Sequence, residues 1–289
     1  MTEKEYLIAL STFTGFGPVR LKLLLSYFKK PSKIWNSSTG TLTEIGLSTR
    51  SIESFVRHRN NFDARAYFKK LKNLSIKALT IFDNGYPRNL KEISDAPFVL
   101  YVRGKLIRSD EKSVAIVGTR TMTNYGREAA QKFAKGLAKL GVTVISGLAL
   151  GVDAEAQRAA FKAGGRTIAV LASGLDIISP LANKNLALEF IKSHGALVSE
   201  YPLGHIPFKS DFAVRNRLIS GLSKGVIVIE GRIKSGTFYT VNAAANQGRP
   251  VLAVPGPITS PTSEAPNYLI QNGARLITSV SDVIDELHI

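Results

Sequence analysis

The chain of 289 residues is 44% hydrophobic and 21% charged, a globular composition long enough for one large or two smaller domains. It contains no cysteine and four scattered histidines, which excludes disulfides and thiolate chemistry and argues against a histidine metal site. Its net charge of +16 favours a polyanionic partner, a nucleic acid or an anionic membrane. The surplus is not one basic tail. Residues 1–88 hold 15 Lys and Arg against 6 Asp and Glu, and residues 89–289 hold 23 against 16. No apolar run approaches the length of a membrane span. The amino terminus, MTEKEYLIAL, carries acids and lacks a signal-peptide pattern, so a cytoplasmic protein without membrane attachment is expected.

Residues 1–80 read as a small helical domain. Leu7, Ile8 and Leu10 open an apolar face, and Leu21 to Phe28 form a second helix after the glycine turn TGFGPVR. A second turn, Ile45-Gly46-Leu47, again leads into a helix. Such paired turns resemble helix-hairpin-helix or SAM-like modules, where backbone N–H groups can hold a DNA phosphate, though turns of this kind also simply connect packed helices. The basic helix within 61–77 (Arg65, Lys69, Lys70, Lys72) reads as a solvated face. The segment 81–104 is rich in turn formers and ends in a strand from Phe98 to Val102.

Residues 81–289 read as the second domain. Strands are expected near 114–117, 142–145, 167–171, 196–199, 226–229, 251–254 and 275–277. Helices are expected near 125–139, 152–163, 183–193, 214–222, 236–247, 265–272 and 280–287. Continuous apolar strands alternating with helices specify an α/β fold, a mostly parallel Rossmann-like sheet covered on both faces. Right-handed crossovers bring every strand-to-helix loop to one edge, where open sheets of this kind bind ligands.

The stretch SVAIVGTRTMTNYGR is the centre of that edge. An apolar strand ends at Gly118, and a turn carrying Thr119 and Arg120 leads into a helix, the order in which α/β proteins build an anion site from turn and helix N–H groups. The other loops add Ser146 and Gly147; Ser173, Gly174 and Lys184; Lys209, Phe212, Arg215, Asn216 and Arg217; then Arg232, Lys234, Ser235 and Gly236. Hydroxyls, backbone N–H groups and guanidinium forks suit phosphate oxygens, and several such loops in a row can grip more than one phosphate. Arg215 and Arg217 lie two apart, so on a helix they diverge by roughly 200° and cannot both face one phosphate. Phe208, Phe212, Phe238 and Tyr239 are candidate stacking platforms for bases. The edge lacks GxGxxG and the P-loop pattern, and its acids (Asp153, Asp176, Glu200, Asp211, Glu230) form no paired-carboxylate or nucleophile–base arrangement. A binding groove without catalysis and without a cofactor fits better than an active site.

The succession YPRNLKEISDAPFVLYVRG, VAIVGTR, VISGLALGVDAEAQRAA, SEYPLG, FAVRNRLISGLS, SGTFYTVNAAANQGR and VLAVPGPI resembles the DNA-processing protein A family (DprA, also Smf) from about residue 80 to the end. The helical region resembles that family's SAM-like domain. The resemblance implies a cytoplasmic, non-enzymatic protein of bacterial natural transformation. It would protect incoming single-stranded DNA, load the RecA recombinase on it, and form homodimers through the Rossmann-like domain. By position it places Arg120, Ser146, Gly147, Lys184 and Asn216, with Arg215 or Arg217, at the DNA. The chain stops soon after its last sheet element, so the C-terminal winged helix of some members is expected to be absent. The alternative is a LOG-like nucleotide phosphoribohydrolase, whose catalytic Glu follows a GGxGT turn. Here the turn's Gly236-Thr237 is present, but Tyr239 and Val241 stand where that acid would fall, which argues against it.

Overall fold

The computed structural model describes residues 1–193 and 195–289. Six helices come first: α1 (Glu3–Ser11), α2 (Pro18–Phe28), α3 (Pro31–Trp35), α4 (Thr39–Glu44), α5 (Thr49–Asn61) and α6 (Ala64–Asn73). Local sequence sets their starts. Thr2 and Glu5 close a reciprocal capping box on α1, and Pro18 and Pro31 open α2 and α3, where a missing N–H costs nothing. Leu7, Leu10, Leu24, Trp35, Leu42 and Phe55 are buried between them.

The sheet follows, from β1 (Ile76–Thr80), helix α7 (Arg88–Lys91), β2 (Val99–Gly104) and β3 (Ser113–Val117) through α8 (Asn124–Lys139) and β4 (Thr143–Ser146). It continues with α9 (Val152–Lys162), β5 (Thr167–Val170), α10 (Lys184–Lys192), β6 (Ala196–Ser199), α11 (Lys209–Leu222) and β7 (Val226–Val228). It closes with α12 (Thr237–Asn246), β8 (Val251–Ala253), α13 (Glu264–Gln271), β9 (Arg275–Leu276) and α14 (Val280–Leu287). Every strand expected after residue 98 is present. β1 lies inside the segment read as helical, and α11 begins at Lys209 rather than 214.

Nine strands form one sheet in the order β1-β2-β6-β5-β4-β3-β7-β8-β9. β1 and β2 run antiparallel at one side, and the seven strands from β6 to β9 are parallel. Side-chain alternation assigns the two faces. Val114, Ile116 and Val144 pack under α8, α9 and α14, while Ala115, Val117 and Ile145 pack under α11 and α12. The helical region shares a hydrophobic core with the antiparallel side of the sheet, through Val99, Tyr101 and Phe190. The fully buried Tyr101 hydroxyl accepts from Tyr67 (3.0 Å) and pairs with Ser11 (2.9 Å), which satisfies its one polar atom while docking α1 and α6.

Strand order reverses between β3 and β7. The chain builds outward from β3 to β6, then returns to lay β7, β8 and β9 on the other side. The helices after β3 and β7 pack on opposite faces of the sheet, so the ligand crevice of open α/β sheets falls at the carboxyl ends of the strands here.

Candidate nucleic-acid interface

One wall of the crevice is the Gly118-Thr119-Arg120 turn after β3, and its packing is tight. The Thr119 N–H donates to the Glu230 carbonyl (2.7 Å), and the Thr119 carbonyl accepts from the Val152 N–H (3.1 Å). Gly151 holds φ +80° directly against this turn, where any side chain would strike the backbone of Thr119 and Arg120. The turn is therefore rigid. Arg120 projects from it exposed, with no hydrogen bond or ion pair among the described residues.

The helix-terminus half of the sequence expectation is corrected here. The start of α8 is already filled by a carboxylate of the protein itself. Glu230, 1% exposed, accepts from the Thr123 N–H (2.9 Å), the Thr123 hydroxyl (2.5 Å) and the Thr262 hydroxyl (3.0 Å). Gly126 is required because a β-carbon there would collide with this carboxylate. Thr123 caps the Gly126 N–H (3.1 Å), completing the closure. The anion position of a dinucleotide fold is thus occupied internally. The opposite helix is open: α12 starts after Gly236 with no side-chain cap, and the Ser235 hydroxyl beside it is buried without a partner. Lys234, at φ +66°, projects from the same turn, and Asn216 of α11 donates to the Gly236 carbonyl (3.2 Å).

Arg215 is an internal fastener. It is 4% exposed and donates from Nη1 to the carbonyls of Gly147 (2.8 Å) and Val170, tying α11 to the ends of β4 and β5. Burial brings its guanidinium down to about 10, with the nearby Asp153 carboxylate opposing that shift and Arg120 adding to it. Burial also pushes the Asp153 carboxyl up, against the pull of Arg215 and of the Gly147 N–H, which donates to Asp153 (3.1 Å). Arg217 points elsewhere, into Glu200 and Asp95 (3.2 Å for the latter). The divergence read from the sequence is therefore real, yet both guanidiniums are committed inside the protein.

Other predicted positions are likewise engaged. The Ser146 hydroxyl donates to the Ile116 carbonyl (2.6 Å), and Gly147 lies against the Arg215 guanidinium. The Ser173 hydroxyl is bound to the Ile177 carbonyl, and the Gly174 N–H donates to the His205 carbonyl (3.0 Å). These four shape the loops from within. Lys184 stands exposed at the start of α10.

Three more residues read from the edge loops, Lys209, Phe212 and Arg232, complete the rim. Because α11 starts early, Lys209 and Phe212 ride its first turn rather than a loop. The Asp211 carboxylate accepts from the Phe208 N–H (2.9 Å) and from His205 (2.8 Å), and this fixes that turn. The sequence signal is Asp211 itself, three residues beyond the cap. The half-buried Phe212 ring lies between two cations, 5.8 Å from the Arg120 guanidinium carbon and 6.0 Å from that of Arg215. Arg232, from the loop after β7, is exposed.

The charges sort cleanly. Asp153, Asp176, Glu200, Asp211 and Glu230 each have an internal partner, Asp176 binding Lys70 (2.9 Å) and the Gly204 N–H (2.9 Å). Arg120, Lys184, Lys209, Arg232 and Lys234 are exposed and have none among the described residues. Acids held inside by hydrogen bonds or ion pairs and unpaired cations outside leave a positive rim.

Fold and site together define a doubly wound α/β protein with a cationic binding crevice at its topological switch point. A family model described as DNA recombination-mediator protein A matches residues 77–288. The chain is 37% identical over 291 residues to Protein Smf of Synechocystis, covering 99% of this chain and 73% of that one. DNA processing protein A of Streptococcus pneumoniae has a similar X-ray structure, with a TM-score of 0.83 at 34% identity over 99% of this chain and 98% of that one. DNA processing protein A of Helicobacter pylori, solved in a study of its single-stranded DNA binding mode, matches with a TM-score of 0.66 at 31% identity, over 74% of this chain and 96% of that one. The chain belongs to the DNA-processing protein A (DprA/Smf) family. Among the described residues, no helix is long and apolar enough to cross a membrane.

Proposed function

We propose that this chain is a cytoplasmic single-stranded DNA-binding protein of natural transformation, acting without catalysis and without a cofactor. The observation that carries the reading is the charge sorting at the crevice. Five unpaired cations line its rim while every acid there is tied down within the fold. Phosphates on a flexible strand satisfy such cations, and the half-buried Phe212 ring beside Arg120 is a candidate stacking surface for a base. The single-stranded DNA binding of the Helicobacter pylori relative supports the same ligand. Residues 81–289 form the DNA-binding domain in this reading, with residues 1–80 as a SAM-like domain beside it. In this reading the protein also protects incoming strands and loads RecA on them, as the resemblance to the family implies. The contact set is Arg120, Lys184, Lys209, Phe212, Arg232 and Lys234, with Asn216, Ser235 and Gly236 shaping the open end of α12.

A competition shift assay tests the reading. Wild-type protein should bind an oligo-dT strand in preference to duplex of equal length. Arg120→Ala should weaken that binding at least tenfold while the protein stays folded, since Arg120 has no internal role. Unchanged affinity at moderate salt would sink the pocket.

The chain also acts as a homodimer in this reading, through the open sheet edge at β9. That two-residue strand pairs only with β8 among the described strands, and it presents Leu276 at 45% exposure. Light scattering should return twice the chain mass at tens of micromolar, and a monomer there would remove the dimer.

A further inference from the structure

The end of the sheet opposite the crevice holds a cavity of about 410 Å³, within the range of small-molecule sites. Its depth is apolar: Ile145 of β4, Ile168 of β5, Leu222 at the close of α11, and Leu106. On this face the strands are roofed by the coil around Tyr86 and by the segment 106–111.

The polar groups of the wall are already fastened. The Asn89 side-chain amide donates to the carbonyls of Glu111 (3.0 Å) and Leu222 (3.2 Å), spanning the cavity's two sides. The Tyr86 hydroxyl donates to the Pro97 carbonyl (2.6 Å). Asp110 accepts from Arg166 (2.8 Å), Thr143 (2.9 Å) and the Ile107 N–H (2.8 Å). A wall held this way exists before any ligand arrives.

The charges at the mouth are different. Arg108 has no hydrogen bond or ion pair among the described residues, and Arg88 has only a long contact to Glu92 (3.9 Å), an acid that Arg249 holds at 3.0 Å. Glu111 is the one carboxylate of the lining without an internal partner. Two available guanidiniums against one carboxylate leave the mouth positive.

We propose that this cavity binds an amphipathic anion: an apolar body against Ile145, Ile168 and Leu222, with a carboxylate or sulfonate met by Arg88 and Arg108. The site is separate from the DNA crevice, at the other end of the strands.

The test uses the full chain with 1-anilinonaphthalene-8-sulfonate as a fluorescent probe and decanoate as competitor. The expected result is saturable one-site binding, displaced by decanoate and not by decanol or inorganic phosphate. Arg88→Ala with Arg108→Ala, both at exposed positions, should weaken decanoate at least fivefold and leave oligo-dT affinity unchanged. Leu106→Trp, which fills the cavity from its roof, should abolish binding with the unfolding midpoint preserved. Absence of saturable binding, or equal affinity in wild type and both variants, overturns the site. Displacement by decanol as strong as by decanoate overturns its anionic character. Because oligo-dT binding is read in parallel, failure here is distinct from failure of the DNA reading.

Discussion

Arg120 stands close enough to help lower the Arg215 pKa, yet the two arginines have opposite occupations. Arg215 is buried beside Asp153 and holds two carbonyls from separate loops. Removing the guanidinium leaves the buried Gly147 and Val170 carbonyls without their donor, a loss of about 1–3 kcal/mol for each unpaired group. Arg215→Ala should therefore lower the urea midpoint sharply, and Arg215→Lys should not restore it, because an ammonium is more strongly hydrated and costs more to bury, and it lacks the Nε–H that donates to the Asn216 side chain (3.1 Å). Arg120→Ala, at an exposed position whose one contact is the Phe212 ring, with no hydrogen bond or ion pair, should shift stability by no more than about 0.5–1 kcal/mol. Urea titrations of the three variants check this. Equal stability of Arg215→Ala and wild type would show that the α11 fastening carries no load. DNA binding and folding stability should thus separate at neighbouring arginines, which residue type alone does not reveal.

At the scale of elements, α14 shows how one carboxylate holds a helix start. Asp282 accepts from the N–H groups of Thr278 (2.7 Å) and Ser279 (2.9 Å), and these bonds bring its pKa down to about 2 from an ordinary 3.8. A depressed folded-state pKa means stabilisation that is fully present above 3.8 and lost as pH falls from there through about 2. Amide exchange in α14 should accelerate across that window, and Asp282→Asn should exchange fast at neutral pH. Exchange in Asp282→Asn equal to wild type at neutral pH would refute the capping role. The parallel strands were legible in the sequence, because buried strands are continuous apolar runs such as Val114 to Val117; the Asp282 cap was not read there, and only the helix it starts was. β1 was not: Ile76–Thr80 has only its two end residues buried, and its partner β2 supplies the pairing. The early start of α11 depends on Asp211, which reads equally well as a loop acid until Phe208 and His205 are placed beside it. The filling of α8 by Glu230 lay furthest from view, since Thr123 and Glu230 are 107 residues apart and only the β3–β7 adjacency joins them. That long-range closure moves the open helix terminus of the crevice from α8 to α12. The phosphate-binding reading of the GTR turn therefore narrows to Arg120 and its neighbours across the cleft.

For the whole molecule, the decisive quantity is how many of its cations meet the strand. The helical region is fixed to the sheet by the Tyr67–Tyr101–Ser11 hydroxyl chain and by Lys70 on Asp176, so its positive surplus cannot swing freely toward the crevice. The five rim cations then set the electrostatics of binding. Each phosphate neutralised on a single strand contributes roughly −0.7 to the slope of log K against log salt, which gives about −3.5 for five contacts. Titrating oligo-dT affinity across a salt series should return a slope near that figure, and Arg120→Ala should reduce its magnitude by roughly 0.7. A slope far steeper would mean that the strand runs on over the basic helices α5 and α6. A slope near zero would mean that the rim cations do not meet phosphate at all. The same series separates the two kinds of arginine at this edge. If Arg217 is held by Glu200 and Asp95, Arg217→Ala changes stability and leaves the salt slope where it was. A loss of slope in that variant would place its guanidinium on the DNA instead of in the fold.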